Sequence, residues 1–202
     1  MTLSNIDDRA IVIGGSIAGL LSARILADRF GTVTIVETDK LPDRPFARIG
    51  VPQSVQPHIL FTKGYRILAE LFPKIEEQLK AGGALPIDWT REFHHFSHLG
   101  WNANSSSPSS LVSGSCSRPL LEWSIRQQLA NYANVQFVDG HRVMGLLLHE
   151  SETRITGVSL RPRNGNRQEL AASLVVDASG RRSQAPSWLR ELGFTSSTRN
   201  YY

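Results

Sequence analysis

The chain has a single cysteine, Cys116, among 202 residues. One thiol cannot close an internal disulfide, and a reducing cytoplasm is the compartment that fits it. Blocks of positive charge are lacking too. Net charge is +4, but the cations, mostly arginine, are spread along the chain, so no nucleic-acid surface is expected. Uninterrupted apolar runs are short. Ala10 to Ala27 comes nearest, yet three glycines, two serines and Arg24 break it and Asp28-Arg29 closes it. Asp7-Asp8 stands where a leader would carry basic residues, so neither a signal peptide nor a membrane span is expected. Metal-ligand patterning is equally thin. His94, His95 and His98 offer at most three ligands with no zinc-type cysteine or acid pair nearby, and read as a partly exposed strand. The G-x-S-x-G pattern is missing around Ser179-Gly180, which excludes a hydrolase elbow there. There is no internal repeat. The remaining composition, 41% hydrophobic and 20% charged, is that of a globular protein: one domain, or one domain plus part of another.

What the sequence does have is concentrated near its start. Ala10 to Ile13 is a short apolar run suited to a strand buried on both faces. Gly14 and Gly15 permit a sharp backbone turn. From Ile17 the pattern becomes helical, with Leu20, Leu21, Ile25 and Leu26 on one stripe and Ala18 and Gly19 near the start. A second strand, Val33 to Val36, ends at Glu37, about 20 residues on, where an acid bonds the ribose of a dinucleotide. The first amides of a helix lack internal partners and carry the positive end of its dipole, so a diphosphate is favoured there. In the G-x-G-x-x-G register the middle glycine is replaced by Ser16. An acid at position 37 favours an unphosphorylated ribose, as in FAD or NAD, over NADP.

Thr38 to Pro57 reads as a loop carrying Arg44 and Arg48, at the strand end where open α/β sheets bind ligands. Helical periodicity runs from His58 to Lys80, divided at Pro73, and stops at Gly82-Gly83. Ile87 to Trp101 reads as extended, and serine-rich Asn102 to Ser117 as a long flexible loop. A helix then begins at Ser117-Arg118-Pro119, with Glu122 complementing its dipole and Leu121, Ile125 and Leu129 as its buried stripe. Strands are expected at Val135–Val138, Arg142–His149, Arg154–Leu160 and Glu169–Val176, with a hairpin turn at Asn164-Gly165. Leu174 to Gly180 reads as a buried strand returning beside the first and ending at a glycine turn. Cys116 beside Arg118 could be a reactive thiol, but an inert one is favoured.

Four stretches in this order carry a resemblance: Ile13-Gly-Gly-Ser-Ile-Ala-Gly19, Gly50-Val-Pro-Gln53 with His58, Ser117-Arg-Pro-Leu-Leu-Glu122, and Val175-Val-Asp-Ala-Ser-Gly-Arg181. The chain resembles the FAD-dependent monooxygenases related to para-hydroxybenzoate hydroxylase. Within them it looks most like the bacterial branch similar to 2-polyprenyl-6-methoxyphenol hydroxylases. The resemblance implies an α/β fold: a Rossmann-like FAD-binding domain with a parallel sheet and a β-meander crossover, plus part of a substrate domain. It implies FAD as cofactor, with Gly14, Gly15, Ser16, Ala18 and Gly19 at the pyrophosphate. Glu37, with Thr38 beside it, falls at the adenosine ribose. Arg48, His58, Arg118, Asp177 and Gly180 complete the implied cofactor contacts; for His58, helix capping and a ligand-facing role stay equally open. At the family's Asp-Gly segment this chain departs. The aspartate position holds Ser179, Asp177 lies two residues earlier, and Pro186 stands where the family has an arginine.

The resemblance further implies hydroxylation of an aromatic or polyprenyl-ring small molecule with O2 and NAD(P)H, or a related flavin reduction of isoprenoid double bonds. No protein side chain need act as nucleophile, so neither a catalytic residue nor a metal is assigned. Family members run to roughly twice this length, and the family's Gly-Asp motif is absent from these residues. The chain therefore looks like an amino-terminal half: a split subunit with a separate carboxyl-terminal partner, a truncated product, or a non-catalytic remnant or interaction module. An NAD-binding dehydrogenase domain is the further alternative. The expected organisation is 1–85 and 117–185 as the FAD-binding domain, 86–116 as a substrate-domain excursion, and 186–202 as the start of a further region.

Overall fold

The apolar run at the start forms β1 (Arg9–Ile13), and the glycine turn after it leads into α1 (Ile17–Ala27) and then β2 (Thr32–Val36). These elements belong to a computed structural model that describes residues 8–56, 60–151 and 154–194. His58 lies outside the described residues. The chain divides into two compact units, Met1–Asp43 with Leu129–Tyr202, and Arg44–Gln128. These limits differ from the boundaries expected at 85 and 117.

In the first unit, β2 pairs in parallel with β1 on one side and with β7 (Val135–Val138) on the other. The strand β11 (Leu174–Asp177) pairs with β1, so the parallel sheet has the order β11-β1-β2-β7. Registered neighbours share a face: Ala10, Val12, Val33 and Ile35 on one, Ile11, Ile13 and Val36 on the other. Gly19 of α1 lies over Val12, placing the helix on the first face. The second face is covered by a meander of β8 (His141–Leu148), β9 (Ile155–Pro162) and β10 (Gln168–Ala171). Ile11, Ile13 and Val36 meet Val143, Val158, Leu160 and Ala172 there, with Trp188 of α5 (Ala185–Glu191) against them. Each buried valine, leucine or isoleucine among them contributes roughly 1.5–3 kcal/mol by leaving water. The close pairing of β9 with β10 requires Gly157, whose φ is +150° and whose added Cβ would meet the Leu170 carbonyl at 2.2 Å.

Two expectations are corrected in this unit. Glu169–Val176 is not one strand, because the chain changes sheets within it. The Ala172 amide donates to Thr156 of the meander side, while the Ser173 amide donates to Arg9 beside the parallel sheet. The returning strand is also not buried on both faces: β11 is a sheet edge, with Leu174 37% exposed and Asp177 exposed.

The second unit holds α2 (Thr62–Leu71) and α3 (Ile75–Ala81), separated at Pro73 as expected. Its strands are short: β3 (Leu85–Asp88), β4 (Phe96–Ser97), β5 (Gly100–Trp101) and β6 (Val112–Ser115). Turns at 89–92 break the expected extended run 87–101. The serine-rich stretch is no featureless loop, since its end forms β6, antiparallel to β3. Side-chain bonds fix that pairing. Asp88 accepts from the Ser109 amide at 2.7 Å, and the Trp89 indole N–H donates to Ser113 Oγ at 2.8 Å. Helix α4 (Arg118–Leu129) follows, its Leu120 amide capped by Ser117 Oγ at 3.3 Å. Among the described residues no helix is long and apolar enough to cross a membrane.

Candidate functional site

The first unit brings Gly14, Gly15, Ser16, Ala18, Gly19 and Glu37 together at the carboxyl ends of β1 and β2. The Gly14 amide donates to Val36 at 2.8 Å, which ties the turn to the neighbouring strand end. Gly14 has φ +103°, and a Cβ there would meet the Ala178 carbonyl at 2.7 Å. A Cβ on Gly19 would stand 1.8 Å from the Gly14 carbonyl, so only glycine lets α1 seat this closely on the turn. Ser16 enters the helix in extended backbone and makes no side-chain cap, and the first turn of α1 holds no acid. The helix amides at 17–19 thus open beside the glycine turn with no acid of α1 in front of them, which suits an anion.

Glu37 is held at that mouth. Its Oε2 accepts from the Gly15 amide at 2.7 Å and its Oε1 from the Asp39 amide at 2.9 Å. Gly15 therefore serves to hold the acid. A Cβ at Gly15 would press on the Glu37 carboxylate at 3.2 Å. The backbone of residues 37–41 is fastened to the end of β7, with Glu37 and Asp139 each bonded across. Burial pushes the Asp139 carboxyl up, but bonds from Lys40 and the Leu41 amide outweigh it and leave the group below its ordinary value. Thr38, beside the acid, is exposed. An ionised carboxylate accepts up to about four hydrogen bonds. Anchoring Glu37 to two amides is thus compatible with a sugar hydroxyl as a further donor. The cradle fits a dinucleotide.

Asp177 stands at the end of β11 in the same unit. Its Oδ1 accepts from the Ser179 amide at 2.9 Å and hydroxyl at 2.5 Å, and its Oδ2 accepts from the Ser183 hydroxyl. Burial raises this carboxyl, and the serine bonds more than offset it, so it sits below the usual range. The substituted Asp-Gly position is thereby accounted for: Ser179 ties Asp177 into the turn. Gly180, with φ +75°, opens the exposed 3-10 turn Gly180–Arg182.

Arg48 and Arg118 belong to the second unit. Arg48 is buried and donates through Nε at 2.9 Å and Nη2 at 2.7 Å to Oε1 of Glu122 on α4. Glu122 lies past the first turn of α4, which holds no acid, so the expected dipole role is replaced by an ion pair with Arg48. Sequence reading missed this residue as a site member. The one available signal was its place in the Ser117–Glu122 motif. Arg118 is partly buried. Desolvation lowers its pKa, the Glu122 carboxylate works against that, and the Arg48 charge adds to it. Burial raises the Cys116 thiol, which agrees with an inert group. Among the described residues no cluster of His, Cys, Asp or Glu is placed to hold a metal ion.

No family model matches the chain. Protein Rv3254 of Mycobacterium tuberculosis is 34% identical over 199 residues, covering 95% of this chain and 42% of that protein. The myxobacterial chondrochloren halogenase CndH, described as a variant of FAD-dependent halogenases, superposes with TM-score 0.66 at 20% identity. The match covers 91% of this chain and 39% of the halogenase. PqsL of Pseudomonas aeruginosa, a probable FAD-dependent monooxygenase, gives TM-score 0.60 at 20% identity over 97% of this chain and 48% of its own. The chain has the Rossmann-like fold of these two solved flavoenzymes and spans less than half the length of each of the three proteins.

Proposed function

We propose that this chain binds FAD and belongs to an FAD-dependent oxidoreductase of the monooxygenase type. Its substrate would be a small aromatic or polyprenyl-ring molecule, with O2 and NAD(P)H as co-substrates. The observation that carries the reading is the uncapped mouth of α1 with the Glu37 carboxylate fixed 2.7 Å from the Gly15 amide. Likeness of fold to an FAD-dependent halogenase and a probable FAD-dependent monooxygenase supports flavin as the resident dinucleotide. When bound, the isoalloxazine supplies the redox chemistry, and the protein binds, orients and excludes water.

The residues divide that work. Amides at 17–19, with Ala18 among them, would receive the diphosphate, and Gly14 and Gly19 keep their approach clear. Glu37 would accept the adenosine ribose hydroxyls while the Gly15 and Asp39 amides hold it. Asp177 and Gly180 shape the turn after β11. Arg48, His58 and Arg118 complete the proposed set through the resemblance. A further segment, on this polypeptide or on a separate one, would complete the flavin and substrate sites, in keeping with the 42% of Rv3254 that the chain covers.

Titration of the purified chain with FAD, followed by visible absorption and flavin fluorescence, tests the reading. One FAD per chain, lost in Gly19→Val, is the expected result. Uptake of NAD without FAD would overturn it in favour of a nicotinamide-binding domain, and uptake of neither in favour of an interaction module.

A further inference from the structure

The outer face of the meander lies away from α1, which packs on the far side of the parallel sheet. Val143 of β8 and Leu160 of β9 belong to the core, so their chain neighbours Arg142 and Arg161 lie on the opposite, outer face. These two exposed arginines are registered directly across from each other. Like charges so placed destabilise a strand pair. Two residues earlier on β9 the same face presents Ser159, registered against Gly145 of β8 and Glu169 of β10. A register shift after Val143 puts Gly145, rather than Met144, at that position. Ser159 is 0% exposed, and its Oγ has no hydrogen-bond partner. A Cβ added to Gly145 would lie 3.6 Å from that Oγ and 4.0 Å from Nη2 of Arg167. The space left by the missing side chain is therefore bordered by a hydroxyl and a guanidinium.

Among the described residues, no carboxylate stands within ion-pair distance of Arg142, Arg161 or Arg167. With Glu169 on the same face, three guanidinium groups against one carboxylate leave two net positive charges. Guanidinium groups only donate hydrogen bonds, and a serine hydroxyl is free to donate as well. The set suits a ligand with several acceptor oxygens and about two negative charges, which describes a phosphate group better than a carboxylate. We propose that this face is a phosphate-binding site. Arg142 and Arg161 hold the phosphate group of a soluble phosphate ester between them, and the anion offsets their repulsion. Arg167 swings toward it and opens the Ser159 hydroxyl to one of its oxygens. The site owes nothing to the flavin reading above.

Stability with and without phosphate gives effects of opposite sign. In phosphate-free buffer, Arg161→Gln removes a like-charge pair and Ser159→Ala removes a buried hydroxyl without a partner. Both variants should then melt at or above the temperature of the natural chain. Inorganic phosphate, exchanged for chloride at constant ionic strength, should raise the melting temperature of the natural chain more than that of either variant. In titration calorimetry, phosphate affinity should fall about tenfold or more in Arg161→Gln, as for loss of a charged hydrogen bond. Arg161→Lys should recover part of it. An equal rise in the natural chain and Arg161→Gln would overturn the proposal. So would succinate acting as strongly as phosphate.

Magnetic resonance of the isotope-labelled chain locates the anion, because the start of α1 attracts one too. The amide signals of Gly145 and Ser159 and the Nε–H signals of Arg142, Arg161 and Arg167 should shift saturably with inorganic phosphate. Shifts confined to Gly14, Gly15 and Ser16 would overturn the proposal, since phosphate would then occupy the dinucleotide cradle alone. A chain that takes up no FAD yet shows the Gly145 and Ser159 shifts refutes the flavin reading and leaves this site standing. A chain that takes up FAD and lacks those shifts refutes the site and leaves the flavin reading standing.

Discussion

The two compact units are built on different rules. In the unit containing β1, long-range order comes from the backbone: four parallel strands in register, a three-stranded meander, and a glycine turn that admits no Cβ. Its apolar residues alternate with the strand period and fill one core between the sheet and the meander. In the unit spanning Arg44–Gln128, the strands are two to four residues long, and polar side chains decide where the chain goes. Asp88 gathers Ser109 and Thr90, Asn102 bonds the Phe93 carbonyl, and a buried ion pair joins Arg48 to α4. Phe96, Leu99 and Trp101 stay exposed on it. The first unit should therefore be sensitive to added atoms, and the second to deleted polar partners.

The largest expected effect tests the second half of that contrast. Arg48→Met or Glu122→Leu alone strands a buried charge, which costs about 3–5 kcal/mol, whereas the double replacement should recover most of it. Urea denaturation of the three variants measures this, and additive losses would break the comparison. Next comes the first unit. Gly19→Val drives a side chain into the Gly14 carbonyl, only 1.8 Å from where its Cβ must sit. A destabilisation of about 3 kcal/mol, at the upper end of overpacking, is expected in the same assay, with loss of FAD uptake. A smaller effect belongs to Ser117→Ala, which removes the cap of the Leu120 amide and should cost about 1 kcal/mol.

The same division explains what was legible. The strand, turn, helix and acid of the first unit could be read because each depends on local period or on glycine, and the spacing to Glu37 brought the acid to the helix mouth as expected. The switch of sheets at Ala172-Ser173 could not, since adjacent amides choose different partners only in three dimensions. Strand β6 was hidden for a related reason. Serine and glycine have little preference for strands, and the partner that makes Val112–Ser115 extended lies at Leu85–Asp88. The pairing of Arg48 with Glu122 had no local signal at all, because 74 residues separate them.

The smallest effect is a matter of pH, and it sharpens the comparison through one carboxylate in the second unit and one in the first. Asp88 is bonded by the Ser109 amide first, then by Ser109 and Thr90 hydroxyls and the Thr90 amide, which together hold its pKa far below the ordinary value of 3.8. Asp177 is lowered by Ser179 and Ser183 against its own burial. A carboxyl whose folded pKa is depressed adds stability at pH above its unfolded value, and that stability is lost as pH falls through 3.8 toward the folded value. Both groups should therefore weaken the protein below about pH 4. Their reach differs, because Asp88 is the hub of a segment organised by side chains while Asp177 caps a strand already paired along its length. On acidification, amide hydrogen exchange should rise at Ser109 and along β3 and β6 while β1 and β11 keep their protection. In Asp88→Asn that rise should be present already at neutral pH and change little with acid. Equal loss in β1 and β6 would mean that the strands of the second unit are as backbone-determined as those of the first.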